Sequence, residues 1–409
     1  MVVAGAGIGG LTTALALAER GIPVRVVETA AAIRPLGVGI NLLPHSVKIL
    51  ADLGLLEALE ASAIPTAQLV YFNKFGQRIW AEPRGRAAGY PVPQLSIHRG
   101  VLQMALFDAV QARLGPGSVA TGKTLVGFDD QGDRVTIRVA DRATGAESAV
   151  EGTALIAADG IHSAVRKTLY PDDGPPRFSG RMLWRAVTET DPFLGGQTMI
   201  MAGHQDQKFV CYPIAREAFE RGRSLTNWIA ERAIDGEAPA PQDWNRAVPQ
   251  ATFDHFFETW NFNWLDVPKV VAGASAVYEF PMSDRDPLPR WSFGRVTLLG
   301  DAAHPMYPIG SNGASQAILD AAALADSLAG ERAAIDALAR YDEARREATA
   351  AIVLANRRNG PEQVMQIAEE RAPHGFGSID DVISEAELVE IAARYKRTAG
   401  FAHEQVAKK

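Results

Sequence analysis

Cysteine is nearly absent from this sequence, and histidine is rare. The 409 residues include one cysteine, Cys211, and 8 histidines. A single cysteine cannot form a disulfide within the chain, so we expect a reducing, cytoplasmic location. The histidines and Cys211 show none of the spacings typical of metal ligand sets, so we predict no metal site.

Long apolar runs and basic clusters are also missing. No apolar run reaches the roughly 20 residues that a membrane-spanning helix requires. Lysine and arginine are dispersed, and the formal net charge is −7. These features argue against a membrane or a nucleic acid as partner and leave a small molecule as the expected one. The choice between a monomer and a homodimer stays open.

Apolar residues are abundant by contrast. They make up 47% of the sequence, and 409 residues exceed the usual size of a single domain, so we expect two domains. Buried runs such as "VVAG" and "TALIAADG" alternate with helical segments, which is typical of a parallel sheet covered by helices. Residues 68–90 and 178–282 instead contain short runs rich in aromatic and β-branched residues, which favour an antiparallel sheet.

The predicted fold is therefore α/β, with a mostly antiparallel β-sheet domain inserted into a discontinuous Rossmann-like domain and helices at the C-terminus. The Rossmann-like domain comprises residues 1–67, 91–177 and 283–359. The sheet domain comprises residues 68–90 and 178–282, and the C-terminal helical segment comprises residues 360–409.

A glycine motif separates the first predicted strand from the first predicted helix. It consists of Gly5, Ala6, Gly7, Ile8, Gly9 and Gly10 and fits the pattern G-x-G-x-x-G. Gly5 permits a tight turn, Gly7 lets the backbone approach a pyrophosphate, and Gly10 lets the helix pack on the strand. Glu28 ends the next strand, where a carboxylate suits ribose hydroxyls and repels a 2′-phosphate. The motif predicts a site for FAD or NAD. Only four residues precede it, so we expect further residues upstream.

Two further motifs lie at strand-to-helix joints. The segment "ADGIHSAVR" contains Asp159 and Arg166, and the segment "GDAAH" follows the apolar run "RVTLL" and contains Asp301. Either aspartate alone could be a helix cap. Together with the glycine motif, and in this order, the segments resemble the fingerprints of the single-component FAD-dependent aromatic hydroxylases. The resemblance covers about residues 1–360.

The resemblance decides between the two cofactors and implies a reaction. It implies FAD, with NADH or NADPH as co-substrate, and transfer of one oxygen atom of O₂ to an aromatic or heteroaromatic ring through a flavin C4a-hydroperoxide. By position, Asp159 and Arg166 are expected near the FAD pyrophosphate and the NAD(P)H site. Asp301 is expected to bind the ribityl chain of FAD.

Other residues match the family around these fingerprints. Arg34 precedes the turn that contains Gly39, and Arg99 begins a helix; the resemblance implies that all three lie beside the cofactor. The alternative for the two arginines is a surface ion pair, which contributes little to stability. His304, in "GDAAH", is tempting as a base, but the resemblance implies a structural role.

The stretch after "GDAAH" departs from the usual family pattern P-x-x-G-x-G. Pro308 is followed by Gly310 one place early, Ser311 stands where glycine is usual, and Gly313 keeps its place. The resemblance implies that the carbonyl of Pro308 lies near the site of oxygen transfer. It also implies that Gly310, Asn312 and Gly313 contact the flavin where a helix begins, so that the positive helix end stabilises the reduced flavin.

Within the family, this chain is most similar to the phenazine hydroxylases. The segments that carry this likeness are "RPLGVGIN", "SIHRG", "ADGIHSAVR", "DRDPLP", "TLLGDAAH" and "NGASQAILD". The implied substrate is a small aromatic molecule, for example a phenazine-like acid, held between the flavin and the inserted sheet. The candidates for its lining are Tyr71, Trp184, Arg185, Tyr212, Trp228 and Met306. We expect more than half of them to be ordinary core residues, and Arg185 to be able to meet a substrate carboxylate.

Three other functions remain as alternatives. A flavin oxidase or reductase would use the same FAD fold without oxygen transfer. A catalytically silent flavin-binding protein would also keep the fingerprints. An NAD dehydrogenase is disfavoured, because it would not explain the segment around Asp301.

Overall fold

The computed structural model describes residues 1–236, 246–331 and 333–407. Residues 237–245 of the predicted sheet domain, and residues 408–409 of the predicted C-terminal segment, lie outside the described residues. The helices are α1 (Ile8–Glu19), α2 (Pro44–Asp52), α3 (Leu56–Ser62), α4 (Arg99–Leu114), α5 (Ala164–Leu169), α6 (Arg216–Glu220), α7 (Val267–Ala272), α8 (Gly313–Gly330), α9 (Ala334–Asn356), α10 (Gln363–Arg371), α11 (Glu385–Ala399) and α12 (His403–Ala407). The strands are β1 (Val2–Ala4), β2 (Arg25–Val27), β3 (Gly39–Leu42), β4 (Ile64–Thr66), β5 (Gln68–Phe72), β6 (Arg78–Pro83), β7 (Gln94–His98), β8 (Val119–Ala120), β9 (Lys123–Asp130), β10 (Val135–Asp141), β11 (Glu147–Gly152), β12 (Leu155–Ala157), β13 (Arg177–Thr190), β14 (Thr198–His204), β15 (Gln207–Pro213), β16 (Ser224–Ala233), β17 (Ala247–Val248), β18 (Asn261–Phe262), β19 (Leu265–Asp266), β20 (Val277–Asp284), β21 (Ser292–Phe293) and β22 (Val296–Leu298).

A parallel sheet forms the centre of the first domain. Its spatial order is β21-β22-β12-β1-β2-β8, and only the edge pair β21–β22 is antiparallel. The central strands are short apolar runs that are buried on both faces, as in β1 and β12, which is the pattern that parallel sheets require. Helices α1, α4 and α8 pack together on this sheet, and their apolar side chains join its core.

A second, larger sheet has the order β17-β20-β13-β16-β15-β14-β5-β6. Its neighbours pair antiparallel except for β14 and β5, which are parallel. Strands β5 and β6 come from the early insertion, and β13 to β17 and most of β20 come from the later one. The two sheets confirm the predicted α/β fold class, while the division into domains at the stated residues stays a prediction.

The two faces of this larger sheet meet different parts of the chain, because successive side chains of a strand alternate between faces. One face packs against residues 253–274 and carries Val70, Met182, Trp184, Cys211 and Trp228. The other face packs against α10 and α11 and carries Leu69, Tyr71, Met199, Met201 and Tyr212. The C-terminal helices therefore cover the second face of the sheet.

Three small antiparallel sheets among the described residues were not predicted. Along the chain, strands β9 to β11 form a meander between β8 and β12 of the parallel sheet. Strands β3, β7 and β4 form a three-stranded sheet, and β18 pairs with β19. The meander had a local signal, since "DDQGDR" and "DRATG" are turn sequences between runs rich in β-branched residues. Across the described residues, no helix is both long enough and apolar enough to span a bilayer.

Candidate active site

The four predicted motif segments meet at one edge of the parallel sheet. The glycine motif, Glu28, Asp159 and Gly300 follow the carboxyl ends of β1, β2, β12 and β22, which are neighbours in the sheet. Ligands of open α/β sheets bind in the crevice outside the carboxyl ends of the strands. The fold thus brings together segments that are up to about 300 residues apart in the chain, as this rule requires.

The glycines of the first motif differ in what surrounds them. A Cβ at Gly5, where φ is 102°, would lie 2.4 Å from the Ala158 carbonyl oxygen, and a Cβ at Gly10 would lie 1.9 Å from the Gly5 carbonyl oxygen. A Cβ at Gly9 would lie 2.9 Å from the Leu299 side chain. Glycine is therefore needed at these three positions because a larger side chain would collide with neighbouring atoms. A Cβ at Gly7 would meet no atom within 4 Å, so the backbone before α1 faces open space that suits a phosphate.

Glu28 is anchored at the edge of this space. Its Oε2 accepts a hydrogen bond of 2.7 Å from the Ala6 amide, and its Oε1 accepts one of 2.6 Å from the Ala30 amide. A carboxylate has about four acceptor positions, so capacity remains for the hydroxyls of a ribose. The amide bond to Ala6 fixes Glu28 to the glycine motif.

Asp159 has one carboxylate oxygen that accepts no hydrogen bond. Asp159 Oδ2 accepts a 2.9 Å hydrogen bond from the Ala164 amide, but the buried Oδ1 has no partner. Burial raises the pKa of Asp159. An orphaned oxygen of this kind at the crevice fits a ligand hydroxyl or amide donor.

The side chain of Arg166 is occupied by contacts within the protein. Its side chain is 2% exposed and donates to the carbonyls of Ala302 and Ala303 at 3.3 and 3.0 Å. It also forms an ion pair of 2.8 Å with Asp173. These contacts make Arg166 a positioning residue that holds the turn of residues 300–304. They favour an indirect role at the cofactor site, and the direct contact that the family resemblance implies stays a prediction.

Asp301 has an exposed side chain, in contrast to the buried Arg166. Desolvation by the surrounding protein nevertheless raises the pKa of this carboxyl group, and the charges of His304 and Arg99 act against that rise. An accessible carboxylate that is still desolvated lies in a depression of the surface. Arg99, which opposes the rise in the pKa of Asp301, is the first residue of α4.

His304 is buried and belongs to an ionic network. Its Nε2 lies 2.5 Å from Asp320 Oδ2, and Arg345 Nε donates to Asp320 Oδ1 at 2.8 Å. Burial alone would raise the pKa of Asp320, but the charges of His304 and Arg345 outweigh it and lower that pKa. The amide of Gly300 also donates to Asp320, at 3.1 Å. The network fixes the turn to α8 and supports the expected structural role of His304.

The turn before α8 is tied to the C-terminal helix. Asn312 Nδ2 donates to Tyr395 Oη at 2.7 Å, and a Cβ at Gly310 would lie 2.1 Å from that same oxygen. The side-chain amide of Asn312 is thus already hydrogen-bonded. Only the backbone of Asn312, at the start of α8, remains for contact with a ligand in the crevice. Pro308 is exposed, and a Cβ at Gly313 would meet no atom within 4 Å. Tyr395 was not among the predicted site residues, since nothing in its local sequence marks it.

Gly39 joins the crevice to the larger sheet. Its amide donates to Asn227 Oδ1 at 2.7 Å, and its carbonyl accepts from Tyr212 Oη and from Arg185 Nη2, both at 3.0 Å. A Cβ at Gly39 would lie 2.6 Å from the Asn227 side chain, so only glycine fits. Arg34 is exposed in the loop before β3.

The two predicted tryptophans lie on the far face of the sheet. Trp184 stacks on Phe253 with ring centroids 4.9 Å apart, and its Nε1 donates to Glu279. Trp228 is fully buried and donates to Thr188 Oγ1 at 3.0 Å. This placement removes both from the candidate lining. Met306 packs against Ile352 and Val353 of α9 and is removed as well.

The remaining candidates are on the face that meets the first domain and the C-terminal helices. Tyr71 is fully buried, and its hydroxyl has no hydrogen-bond partner. Arg185 has an unpartnered Nε, and burial lowers its pKa. Within the described part of the chain, no carboxylate forms an ion pair with Arg185.

A cavity lies between the turn at Gly310 and Ser311 and this face of the sheet. Its walls are mainly apolar, formed by Leu43, Leu69, Met199, Met201 and Phe401. One end is polar and contains Glu82, Arg84, Gln94 and Lys396. The sequence analysis missed all of these residues. The available signal was the pair of charged residues around Pro83 in "WAEPRG", next to an otherwise apolar strand.

Comparisons with known proteins agree with this geometry. Residues 1–356 match the sequence model of a family described as FAD binding domain. The chain is 46% identical to phenazine 1,6-dicarboxylic acid hydroxylase PhzS of Lysobacter antibioticus, over 87% of this chain and 89% of that protein. It is 31% identical to 3-hydroxybenzoate 6-hydroxylase 1 of Aquipseudomonas alcaligenes, over 86% of each. The fold is similar to that of Klebsiella pneumoniae HpxO complexed with FAD and uric acid, with a TM-score of 0.73 and 24% identity over 100% of this chain and 94% of that one.

Proposed function

Because this chain belongs to the FAD-dependent aromatic hydroxylases, we propose that it hydroxylates a phenazine carboxylic acid or a fused aromatic acid of similar shape. The enzyme is a flavoprotein monooxygenase that uses FAD, NADH or NADPH, and O₂. The observation that carries the choice of substrate is the 46% identity to a phenazine 1,6-dicarboxylic acid hydroxylase over nearly the whole length of both proteins.

The residues at the crevice fit FAD. The open space at Gly7 and the amides that begin α1 would receive the pyrophosphate. Glu28 would bind the ribose, and the accessible carboxylate of Asp301 the ribityl chain. The orphaned Oδ1 of Asp159 provides a further acceptor. When bound, FAD supplies the redox chemistry between NAD(P)H, O₂ and the ring.

The chain itself would orient the reactants and exclude water. The backbone that begins α8 at Gly313 presents unpaired amides and the positive end of the helix. Tyr395 holds that turn through Asn312, and the fixed φ of Pro308 steadies the carbonyl that we assign to the oxygen-transfer site. Apolar walls of the cavity would keep water from the ring. The larger sheet is the proposed substrate domain.

The proposal also includes a cellular location and an oligomeric state. We assign the protein to the cytoplasm, which its lone buried cysteine supports. We also infer that it works as a monomer or a homodimer, and sedimentation of the FAD-loaded protein distinguishes these.

A turnover experiment tests the substrate. The purified protein, loaded with FAD, is supplied under ¹⁸O₂ with NADH or NADPH and with phenazine-1,6-dicarboxylic acid, phenazine-1-carboxylic acid or 3-hydroxybenzoate. We expect NAD(P)H oxidation to be stimulated by the phenazine acids, with one ¹⁸O atom in the product. Hydrogen peroxide without labelled product would support an oxidase instead. No stimulation by either phenazine acid would overturn the proposed substrate.

A further inference from the structure

The polar end of the cavity contains a buried arginine that nothing in the motifs accounts for. We propose that Arg84, together with Lys396, binds the carboxylate of the substrate and so selects aromatic acids over neutral rings. This inference rests on the proposed function, since it names the group that recognises the acid.

Arg84 is buried with part of its hydrogen-bonding capacity unused. Its side chain is 7% exposed, and it follows β6 directly. Its Nη2 donates to Glu82 Oε1 at 3.2 Å, whereas its Nε, also buried, has no partner. A guanidinium has five N–H donors in a planar fork that matches a carboxylate. Leaving a buried donor unpaired is costly, which favours a ligand oxygen at this place.

The charges at this end of the cavity do not balance. Glu82 lies between two cations, with Lys396 Nζ 2.6 Å from its Oε2 and Arg84 on its Oε1. One carboxylate therefore faces two positive charges, and the three residues carry a net charge of +1. Tyr71, Tyr90 and Tyr395 also lie near Arg84, and burial raises the pKa of each, so they stay neutral. One carboxylate from a ligand would neutralise the cluster.

The cavity joins the proposed carboxylate site to the turn assigned to the flavin. The same cavity is lined by Gly310 and Ser311, in the turn assigned to the flavin, and by Arg84. Apolar side chains also line the cavity and would contact the aromatic ring of a bound acid. Gln94 lines the polar end too, and its buried Oε1 has no partner. A half-turn of its amide would present Nε2 as a second donor to the carboxylate.

Arg185, the arginine that the sequence suggested for this task, is less well placed. It donates to the carbonyl of Gly39 and does not line the cavity. The geometry therefore favours Arg84 over Arg185 as the residue that reads the acid.

Binding rather than turnover tests this inference. The FAD-loaded enzyme is titrated with phenazine-1-carboxylic acid and with unsubstituted phenazine, and Kd is taken from the change in flavin absorption. For Arg84→Met we expect the Kd of the acid to rise about 10- to 100-fold, the range of a lost charge-assisted hydrogen bond. The Kd of phenazine should change less than about threefold. Lys396→Met should also raise the Kd of the acid more than that of phenazine. Arg84→Lys should keep most of the wild-type preference for the acid over phenazine.

A matched control is available in Arg181. It is 8% exposed and forms a 3.0 Å ion pair with Glu231, but it does not line the cavity. Arg181→Met should leave the ratio of the two Kd values unchanged. If Arg84→Met weakens the acid and the neutral ring equally, Arg84 is structural and the inference is wrong. It is also wrong if Arg185→Met, and not Arg84→Met, removes the preference.

A second pair of ligands tests the acid site independently of the proposed phenazine substrate. The same titrations are made with 3-hydroxybenzoate and phenol. If the wild type neither binds nor hydroxylates the phenazines, but Arg84→Met removes a preference for 3-hydroxybenzoate over phenol, the substrate proposal is overturned and the acid site stands. If the wild type prefers the acid in neither pair, the acid site is overturned. Should Arg84→Met fail to fold, Lys396→Met decides by the same ratio.

Discussion

Tyr395 Oη accepts a hydrogen bond from Asn312 Nδ2 at 2.7 Å and donates to Asn356 Oδ1 at 2.8 Å. These residues belong to α11, to the turn before α8 and to the end of α9. A single buried hydroxyl thus connects the C-terminal helix with the turn that we assign to the flavin. We therefore expect the C-terminal segment to contribute to the site, although the family match ends at residue 356.

Removal of this hydroxyl should affect both stability and turnover. Tyr395→Phe leaves the buried Oδ1 of Asn356 without its donor and removes one of the two acceptors of Asn312 Nδ2, so we expect the free energy of unfolding to fall by about 1–3 kcal/mol. Turnover should fall several-fold because the turn is less well positioned. Urea unfolding and kcat measure the two effects. Tyr170→Phe, which removes a hydroxyl that donates to the Arg290 carbonyl away from the turn, should leave kcat unchanged.

The glycine motif allows folding and cofactor binding to be separated. Gly7→Ser should leave the free energy of unfolding of the apoprotein within about 0.5 kcal/mol, because its φ is −72° and serine is a good N-cap. It should weaken FAD binding by more than about tenfold, since its side chain would enter the ligand space. Gly10→Ser should instead destabilise the apoprotein by about 1–3 kcal/mol or more through overpacking.

Urea unfolding of the apoprotein and FAD titration give the two quantities. Equal loss of stability in both glycine variants would mean that Gly7 serves packing alone.

Local patterns were enough to predict the parallel sheet and its ligand edge. The glycine motif, Asp159 and Asp301 each follow a short buried strand, and parallel strands bring their carboxyl ends to one side. The larger sheet could be predicted as antiparallel, but not which of its faces meets the site. A strand's side chains alternate, so Trp184 and Arg185 necessarily face opposite ways, and the sequence contains nothing that fixes the phase.

Long-range contacts account for the other differences. Arg166 fits the family pattern by position, yet two of its partners are carbonyls 136 and 137 residues away along the chain. Tyr395 and Lys396 reach the site only because α11 returns to the sheet, and Arg84 lies there because β6 pairs with β5. No periodicity or local motif encodes such contacts, since they depend on how distant elements pack.

Asp301 should matter for the cofactor and little for the fold. Asp301→Ala removes an accessible, desolvated carboxylate, so the apoprotein should keep its stability or gain slightly. FAD binding should weaken about 10- to 100-fold through loss of a charge-assisted hydrogen bond. Titration of the apoprotein with FAD measures this. Asp129→Ala, at an exposed position of β9, is the control and should bind FAD as the wild type does. An unchanged FAD affinity for Asp301→Ala would contradict the assigned role.

Asp320 should contribute stability that depends on pH. Its pKa is lowered in the folded protein by His304 and Arg345, so the unfolded chain takes up the proton first on acidification. Its contribution is therefore complete well above the ordinary aspartate pKa of about 4 and is lost as the pH falls through the lower folded value. Asp320→Asn should lower the free energy of unfolding at pH 7 by about 3–5 kcal/mol, because Arg345 loses a buried partner.

The difference in the free energy of unfolding between wild type and Asp320→Asn should then shrink between about pH 4 and pH 3, because the wild type loses the charge of Asp320 that the variant already lacks. Urea unfolding at pH 7, 5, 4 and 3 follows it. Asp326→Asn is the control on the same helix, since Asp326 is largely exposed and pairs with Arg20 at the surface; its effect should stay below about 1 kcal/mol. A difference for Asp320→Asn that is independent of pH would mean that the residue acts through its hydrogen bonds alone and not through its charge.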